Sequence, residues 1–425
     1  MAIITSSIGS NSSIDTETPS GSTGSGPWVV TFGTTPTGIS VGDKAFIVDN
    51  SGMSDYDFRV TAISGSDITL TYVSDTGENG DTDPYGMVGG DFVSQASVLF
   101  KRYYATITIW AADLDSEDLY SSGDNAVGEC HPDSTFVESS ITIEYGDSVG
   151  LASITLTAHS GSRHDGTKGS GVIVQNSGSG YQFLLNTDNI TLSWLEIDGT
   201  DNKAKAITIQ ADGVYIQNNL IYDFATTGII VCFSNNSCCP YYTNNFIWNF
   251  TRSGSGTASI FYSTGTGAGI KCYNNTVYHL DFGATQGNIF FNNWADDDTK
   301  IRNLVLMDFG DENLSNVSVH ASAVLDYWGL EATHADVDNE VIDTVADTFT
   351  DSTVSDPNLH LKSLSLFLRS GVDLGTSPTN VNIDIDGRDR DAEGDTWDIG
   401  ADQCESCATG GAGTAGRNLT LLGVG

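Results

Sequence analysis

Basic residues are scarce. Lys and Arg number 17 against 55 Asp and Glu in 425 residues, a formal net charge of −38. Charged residues are 17% of the chain, against about 25% in ordinary domains, and the shortfall lies in the bases. So acidic a surface repels phosphate backbones, which argues against nucleic acid as a partner. No apolar run approaches the roughly 20 residues that span a bilayer, so no membrane role is expected. The start, MAIITSSIGSNSS, lacks a basic region, a long apolar stretch and a cleavage site, and is not expected to be a secretory signal. Cysteine is sparse and odd in number: Cys130, Cys232, Cys238, Cys239, Cys272, Cys404 and Cys407. Such a set makes no disulfide framework and suits a compartment that keeps thiols reduced.

Glycine, at 47 residues, is plentiful, and the hydrophobic share of 39% is too high for global disorder. The chain is too long for one ordinary core, which predicts an elongated repeat body or several domains. Residues 1–26 read as a flexible arm, polar and rich in Gly and Ser. Residues 27–100 read as a small antiparallel β-domain. Its runs at 28–32, 45–48, 58–63 and 68–73 are apolar or alternating, and Ser64-Gly-Ser-Asp makes a hairpin turn. Within 101–125, Ile107, Trp110, Ala111 and Leu114 share one helix face, with Thr106 as its cap; the Ile-Thr-Ile run also suits a strand. Residues 404–425 form a Gly-rich tail.

Between 126 and 403 short apolar runs alternate with Gly, Asn, Asp and Ser turns. Asn219-Leu-Ile-Tyr, Asn245-Phe-Ile-Trp, Asn275-Thr-Val-Tyr and Asn303-Leu-Val-Leu repeat a pattern, and Ser193-Trp-Leu-Glu is placed in the same register. A period of about 28 with short strands and no helical pattern predicts one turn of a parallel β-solenoid per repeat. The repeated Asn is expected at a tight bend, where its amide bonds to the next Asn up the stack. Both ends of such a stack need covers. The Ile107 to Leu114 helix is expected over the first coil, and residues 350–403 over the far end.

Asp356-Pro-Asn-Leu-His-Leu-Lys, Ser370-Gly-Val-Asp-Leu-Gly, Asp384-Ile-Asp-Gly-Arg-Asp-Arg and Asp398-Ile-Gly-Ala-Asp-Gln together resemble the C-terminal pattern of right-handed parallel β-helix proteins of the pectate-lyase-like superfamily. The resemblance implies an all-β chain: a right-handed parallel β-helix with a small N-terminal antiparallel β-domain and a short capping helix. Tyr104-Ala-Thr-Ile, Trp110, Leu114, Gly128-Glu-Cys and Gly161-Ser-Arg-His-Asp-Gly look like a leader found before β-helices in phage structural proteins. The turn at 38–43 (Gly-Ile-Ser-Val-Gly-Asp) is similar to small domains of phage particles. Since that superfamily includes lyases, hydrolases, adhesins and viral spikes, the resemblance speaks to fold more than to activity.

Asp384, Asp386, Asp389 and Asp391, with Gly387 in the turn, offer the clustered hard oxygens that calcium takes, making calcium the candidate cofactor. Arg388 and Arg390 offer internal ion pairs instead, in which case the run is a structural end motif. Asp296-Asp-Asp298, near Lys300 and Arg302, can bind calcium or act on a sugar, or be a solvated turn. Cys404 and Cys407 are half of a zinc site that Cys238 and Cys239 would have to complete across several coils, so a structural thiol pair is the expected reading. His164-Asp165, with His159 nearby, can be half of an acid–base pair or a turn contact. Tyr241, Tyr242, Phe246, Trp248, Tyr262, Tyr273, Tyr278, Phe290, Phe291 and Trp294 are shared between core and exposed rings that stack on sugars or subunits.

No catalytic constellation stands out. The expected function is a structural or adhesive protein of a virion surface, a tail spike, head fibre or decoration protein, with other virion proteins and host surface polysaccharide as partners. A homo-oligomer is expected, a trimer by preference. A polysaccharide lyase or glycoside hydrolase on the same scaffold is the alternative.

Overall fold

In the computed structural model of the chain, residues 2–10, 13–23, 26–48, 56–75, 97–116, 119–144, 149–200, 205–227, 230–235, 240–254, 258–263, 270–282, 288–292, 299–308, 324–326, 328–330, 340–393 and 396–404 are described. Short apolar runs, each ended by a turn residue, stack into three parallel sheets. The first has nine strands: Ile3–Ile8, Asn125–Cys130, Ser153–Ala158, Ile190–Ser193, Tyr215–Gln217, Tyr241–Thr243, Lys271–Tyr273, Lys300–Arg302 and Val324–Asp326. The second has nine, from Phe136–Glu138 to Val341–Ile342, and the third six, from Ile141–Ile143 to Asn288–Asn292. Each coil adds rungs to these sheets, so the fold is an all-β parallel β-helix. Ile197, Ile221, Ile247, Val277 and Leu306 lie in register on the second sheet and belong to one buried column. No single coil has enough apolar surface to close that column alone.

In five successive coils the chain turns from first to second sheet at one left-handed residue. Trp194, Asn218, Asn244, Asn274 and Asn303 occupy it, with φ of 61°, 55°, 55°, 54° and 54°. Asn tolerates this region because its short amide bonds locally. The next residues, Asn219, Asn245 and Asn275, are buried and form the ladder. Asn219 Nδ2 donates to Asn245 Oδ1 at 3.1 Å, and Asn245 Nδ2 to Asn275 Oδ1 at 2.9 Å. The register expected for the two flanking repeats needs correction. Asn303 sits in the left-handed row beside Asn274, so Leu304 takes the inward place. At the other end Leu195, not Ser193, pairs with Asn219, 24 residues away. Coils differ in length, so letter counts slip where hydrogen bonds do not.

Replacing Asn245 by Ala removes its bonds to Ile216 O and Asn275 and strips the Asn219 amides of their acceptor. The expected loss is about 2–4 kcal/mol, read by urea unfolding; a loss near zero would remove the ladder from the list of stabilising features.

Residues 1–26 are not the flexible arm the composition suggests. Ile3–Ile8 pairs in parallel with Asn125–Cys130 and is the first rung of the first sheet. The helix Ile107–Ala112 packs on the first strands of the other sheets, with Thr106 Oγ1 accepting from Ile109 N–H and Glu138 from the N–H groups of Ile107 and Thr108. Ser13–Glu17 and Pro19–Thr23 are the two edges of a seven-stranded antiparallel sheet that also holds Trp28–Phe32, Lys44–Val48, Tyr56–Ser64, Asp67–Asp75 and Ser97–Lys101. Since one residue separates the two edges in sequence, the sheet must curl on itself. It meets the β-helix at Gly42, whose φ is 95° and where a Cβ would lie 3.0 Å from Ser7 N and Thr5 O. Arg102 bridges the two bodies through Asp43 and Asp133.

Residues 350–403 do not cap the far end. They run back along the flank, past the left-handed corners. Asn303 Nδ2 donates to Val372 O, Asn274 to Val381 O, Asn244 to Ile383 O and Asn218 to Asp384 O. The corner amides thus supply docking donors one coil at a time. Beside them, the outer face of the second sheet (Leu220, Tyr222, Phe246, Trp248, Tyr278, Val305, Met307) packs on Phe349, Leu359, Leu361, Phe367, Ile385 and Ile399. With both faces buried, those strands are apolar throughout rather than alternating.

Candidate functional site

The returning segment brings distant side chains together. His360, from the strand Asn358–Leu361, faces Asp386 with Nε2 2.8 Å from Oδ1. Asp386 Oδ2 is 3.1 Å from Arg388. Ligand-type atoms of His360, Asp386 and Asp402 all lie within 4.8 Å of one another. Asp402 is 3% exposed; its Oδ2 accepts from Leu361 N–H at 2.8 Å, and its Oδ1 is buried with no hydrogen-bond partner. These groups line a cleft of about 510 Å³ with Asp165, Thr167, Thr350 and Asn358. Burial pushes the Asp402 carboxyl up to about 7, with His360 opposing. Burial alone would lower His360, but its bond to Asp386 and the charges of Asp402, Asp386 and Asp165 carry it up to about 8.

Of the four expected calcium ligands, only Asp386 enters this group. Asp384 is buried and accepts the N–H groups of Asp386, Arg388 and Gln403. Asp389 accepts from Asn382 and from Asp391 N–H, and Asp391 from Trp397 Nε1. The alternation of carboxylates in sequence is spent on folding the turn. No signal in the sequence pairs His360 with Asp386 or Asp402, because only the docking of the segment does so.

The other candidates fall elsewhere. Asp296 to Asp298, Phe290 and Phe291 side chains, Trp294, Cys238, Cys239 and Cys407 lie outside the described residues. Cys130, Cys232 and Cys272 are buried free thiols. Cys404 is disulfide-bonded, to a partner outside the described residues, which corrects the expectation of uniformly reduced thiols. His164 is buried and spans the turn: Nδ1 accepts from Gly166 N–H, and Nε2 therefore donates to Asn218 O at 2.9 Å. Phe246, Trp248, Tyr242 and Tyr278 are core.

A second concavity, of about 360 Å³, lies on the outer face of the first sheet. Thr155, Thr157, Thr191, Ser193, Tyr215 and Gln217 line it, alternate residues of three successive rungs, and Thr379 and Asn380 of the returning segment complete it. The guanidinium carbon of exposed Arg163 lies 4.6 Å over the buried Trp194 ring. Tyr215 stacks on Tyr241 one rung on, centroids 4.7 Å apart and planes within 8°; Lys271 sits 5.0 Å over the Tyr241 ring. Gln217 is 6% exposed, and its Oε1 is buried without a partner.

No described helix is long and apolar enough to cross a membrane. No protein-family model matches the chain, and no curated protein matches it either. Among solved structures it is similar to the tailspike gp61 of Pseudomonas phage phi297, at 12% identity over 80% of this chain and 62% of that one, with a TM-score of 0.14. It is likewise similar to the tailspike protein gp49 of Pseudomonas phage LKA1, at 12% identity over 80% and 64%, with a TM-score of 0.15. The chain spans less than two thirds of the length of either tailspike. At these TM-scores the likeness carries no inference of its own.

Proposed function

We propose that this chain is a structural and adhesive protein of a virus-particle surface, that its β-helix is the shaft, and that the groove over its first sheet holds a host glycan. The groove carries the adhesive part. Hydroxyl and amide side chains repeat along it with the rung spacing of about 4.8 Å, close to the length of a sugar unit. Tyr215 offers a ring face and Arg163 an open guanidinium. The order of parts, a small curled sheet and then a long shaft, supports the particle assignment, as do the phage-like blocks around Tyr104 and Gly161. Other virion proteins and further copies of the chain, a trimer by preference, are the partners on this reading.

The test has two arms. Antibody to the chain should decorate intact particles in negative stain. Purified protein should bind a host surface polysaccharide, and Tyr215→Ala and Arg163→Ala should each weaken that binding about tenfold with unchanged far-UV circular dichroism. Undecorated particles would sink the particle assignment, and undiminished binding the groove.

The competing reading is a polysaccharide lyase or glycoside hydrolase. Carboxylate oxygens of Asp386 and Asp402 lie within 4.8 Å, near the roughly 5 Å spacing of retaining glycosidases. Against this, Asp402 is only 3% exposed and one of its oxygens is taken by Leu361 N–H, a poor position for an attack on a sugar ring. Release of reducing or unsaturated ends from the bound polysaccharide would reverse the preference.

A further inference from the structure

We propose that His360, Asp386 and Asp402 form a binding site for one divalent transition-metal ion, zinc or manganese, which ties the strand Asn358–Leu361 to the later part of the same returning segment. The site is independent of what the groove binds. Three features converge on it.

The first is the donor set. One imidazole nitrogen and two carboxylates, with ligand atoms within 4.8 Å of one another, come from three separate turns of the returning segment. A nitrogen donor shifts preference away from calcium, which takes oxygen only, toward zinc, manganese or iron.

The second is the orientation of His360. Asn358 Oδ1 accepts from the backbone N–H of His360 at 3.2 Å, which identifies that atom as oxygen, and it faces His360 Nδ1 at 2.6 Å. Nδ1 must therefore carry hydrogen, and Nε2 is the nitrogen left to ligate. Metal-bound imidazoles are held by such an outer acceptor. Gly166 permits the approach of the ring: its φ is 82°, and a Cβ there would fall 2.5 Å from His360 Nε2.

The third is Asp402. A carboxylate oxygen that is buried and unpartnered on a side chain only 3% exposed is expensive to leave alone. A cation beside it removes that penalty. Beyond the three ligands the cleft is open and lined by Asp165 and Thr167, leaving room for water in the remaining coordination positions.

The experiment uses the full chain, stripped with chelator and titrated calorimetrically with zinc, manganese, calcium and magnesium chlorides. One zinc or manganese ion should bind per chain, at micromolar Kd or tighter, with calcium and magnesium at least tenfold weaker. His360→Ala and Asp402→Asn should each weaken binding a hundredfold or more, and Asn358→Leu about tenfold through loss of ring orientation. Saturating zinc should raise the melting temperature of the wild type by a few degrees and leave His360→Ala unmoved. Should Asp402→Asn fail to fold, His360→Ala, a partly exposed side chain, decides alone. No ion bound, binding unaltered in His360→Ala, or calcium bound as tightly as zinc would each overturn the assignment.

Discussion

Arg390→Ala is expected to release the returning segment from the shaft. Arg390 is fully buried, and Nη2 donates to Gly400 O at 2.9 Å and Ala401 O at 2.6 Å. Its charge faces Asp384, Asp398 and Asp402, and it lies over the Trp397 ring. Burial raises the pKa of all three carboxyls, and Arg390 opposes that rise at Asp384 and Asp398. Removing one partner of a buried ionic group costs about 3–5 kcal/mol, and here several carboxylates lose a shared counter-charge. Arg390→Lys should recover only part, because one ammonium can replace Nη2 but not also Nη1, which reaches Asp398 O, Asp402 O and Gln403 Oε1. Hydrogen exchange followed by mass spectrometry gives the readout. Amides of 365–404 should lose protection by orders of magnitude, while the strands Asn125–Cys130 and Ser153–Ala158 stay protected. Uniform loss along the whole chain, or none, would show that the segment is not a separate docking unit anchored by this residue.

Stability near the junction with the curled sheet should fall in acid because of His131. This side chain is 3% exposed, its ring stacks 4.6 Å from that of His159, and its Nε2 is buried without a partner. Burial, reinforced by the charges of Arg102 and His159, lowers its pKa to about 3. In the unfolded chain it titrates near 6.5. Between those values the unfolded state takes up a proton that the folded state refuses, so stability is lost as pH falls from about 6.5 toward 3. Comparing wild type with His131→Gln by urea unfolding isolates this residue from the other titrating groups. The wild-type advantage should shrink by about 3 kcal/mol between pH 7 and 4.5. Parallel stability curves would mean that His131 is as easily protonated folded as unfolded.

Much of the shaft was legible in the chain because its causes are local and repeated. The repeated Asn219, Asn245 and Asn275 marked the ladder, and the asparagine before each of them takes the left-handed turn. Thr106 and the spacing of Ile107, Trp110 and Leu114 announced the short helix for the same reason. The polar start misled. Ile3–Ile8 reads Ile-Ile-Thr-Ser-Ser-Ile, without strand alternation; its partner lies more than a hundred residues on, and a Gly/Ser-rich texture says nothing about so remote an edge.

The acidic run 384–395 shows where sequence alone stops. Alternating carboxylates look alike whether they hold an ion or the turn itself, and only the fold reveals that Asp384 and Asp389 answer their own backbone while Asp386 reaches His360. A sharper clue was present in Leu220-Ile-Tyr and Phe246-Ile-Trp. Strands apolar on both faces require a cover on the outer face, although they do not say which segment provides it.

By itself the sequence determined the acidic character, the coil period, the all-β class and the three asparagines of the ladder, since composition and short-range periodicity act within one turn of the chain. The tertiary structure decided that the last sixty or so described residues travel back along the flank instead of closing the end, and thereby created both the cleft at His360 and one lining of the groove at Tyr215. Contacts between segments 100 to 190 residues apart depend on which carbonyls the corner amides happen to meet, and that pairing has no period for a sequence to display.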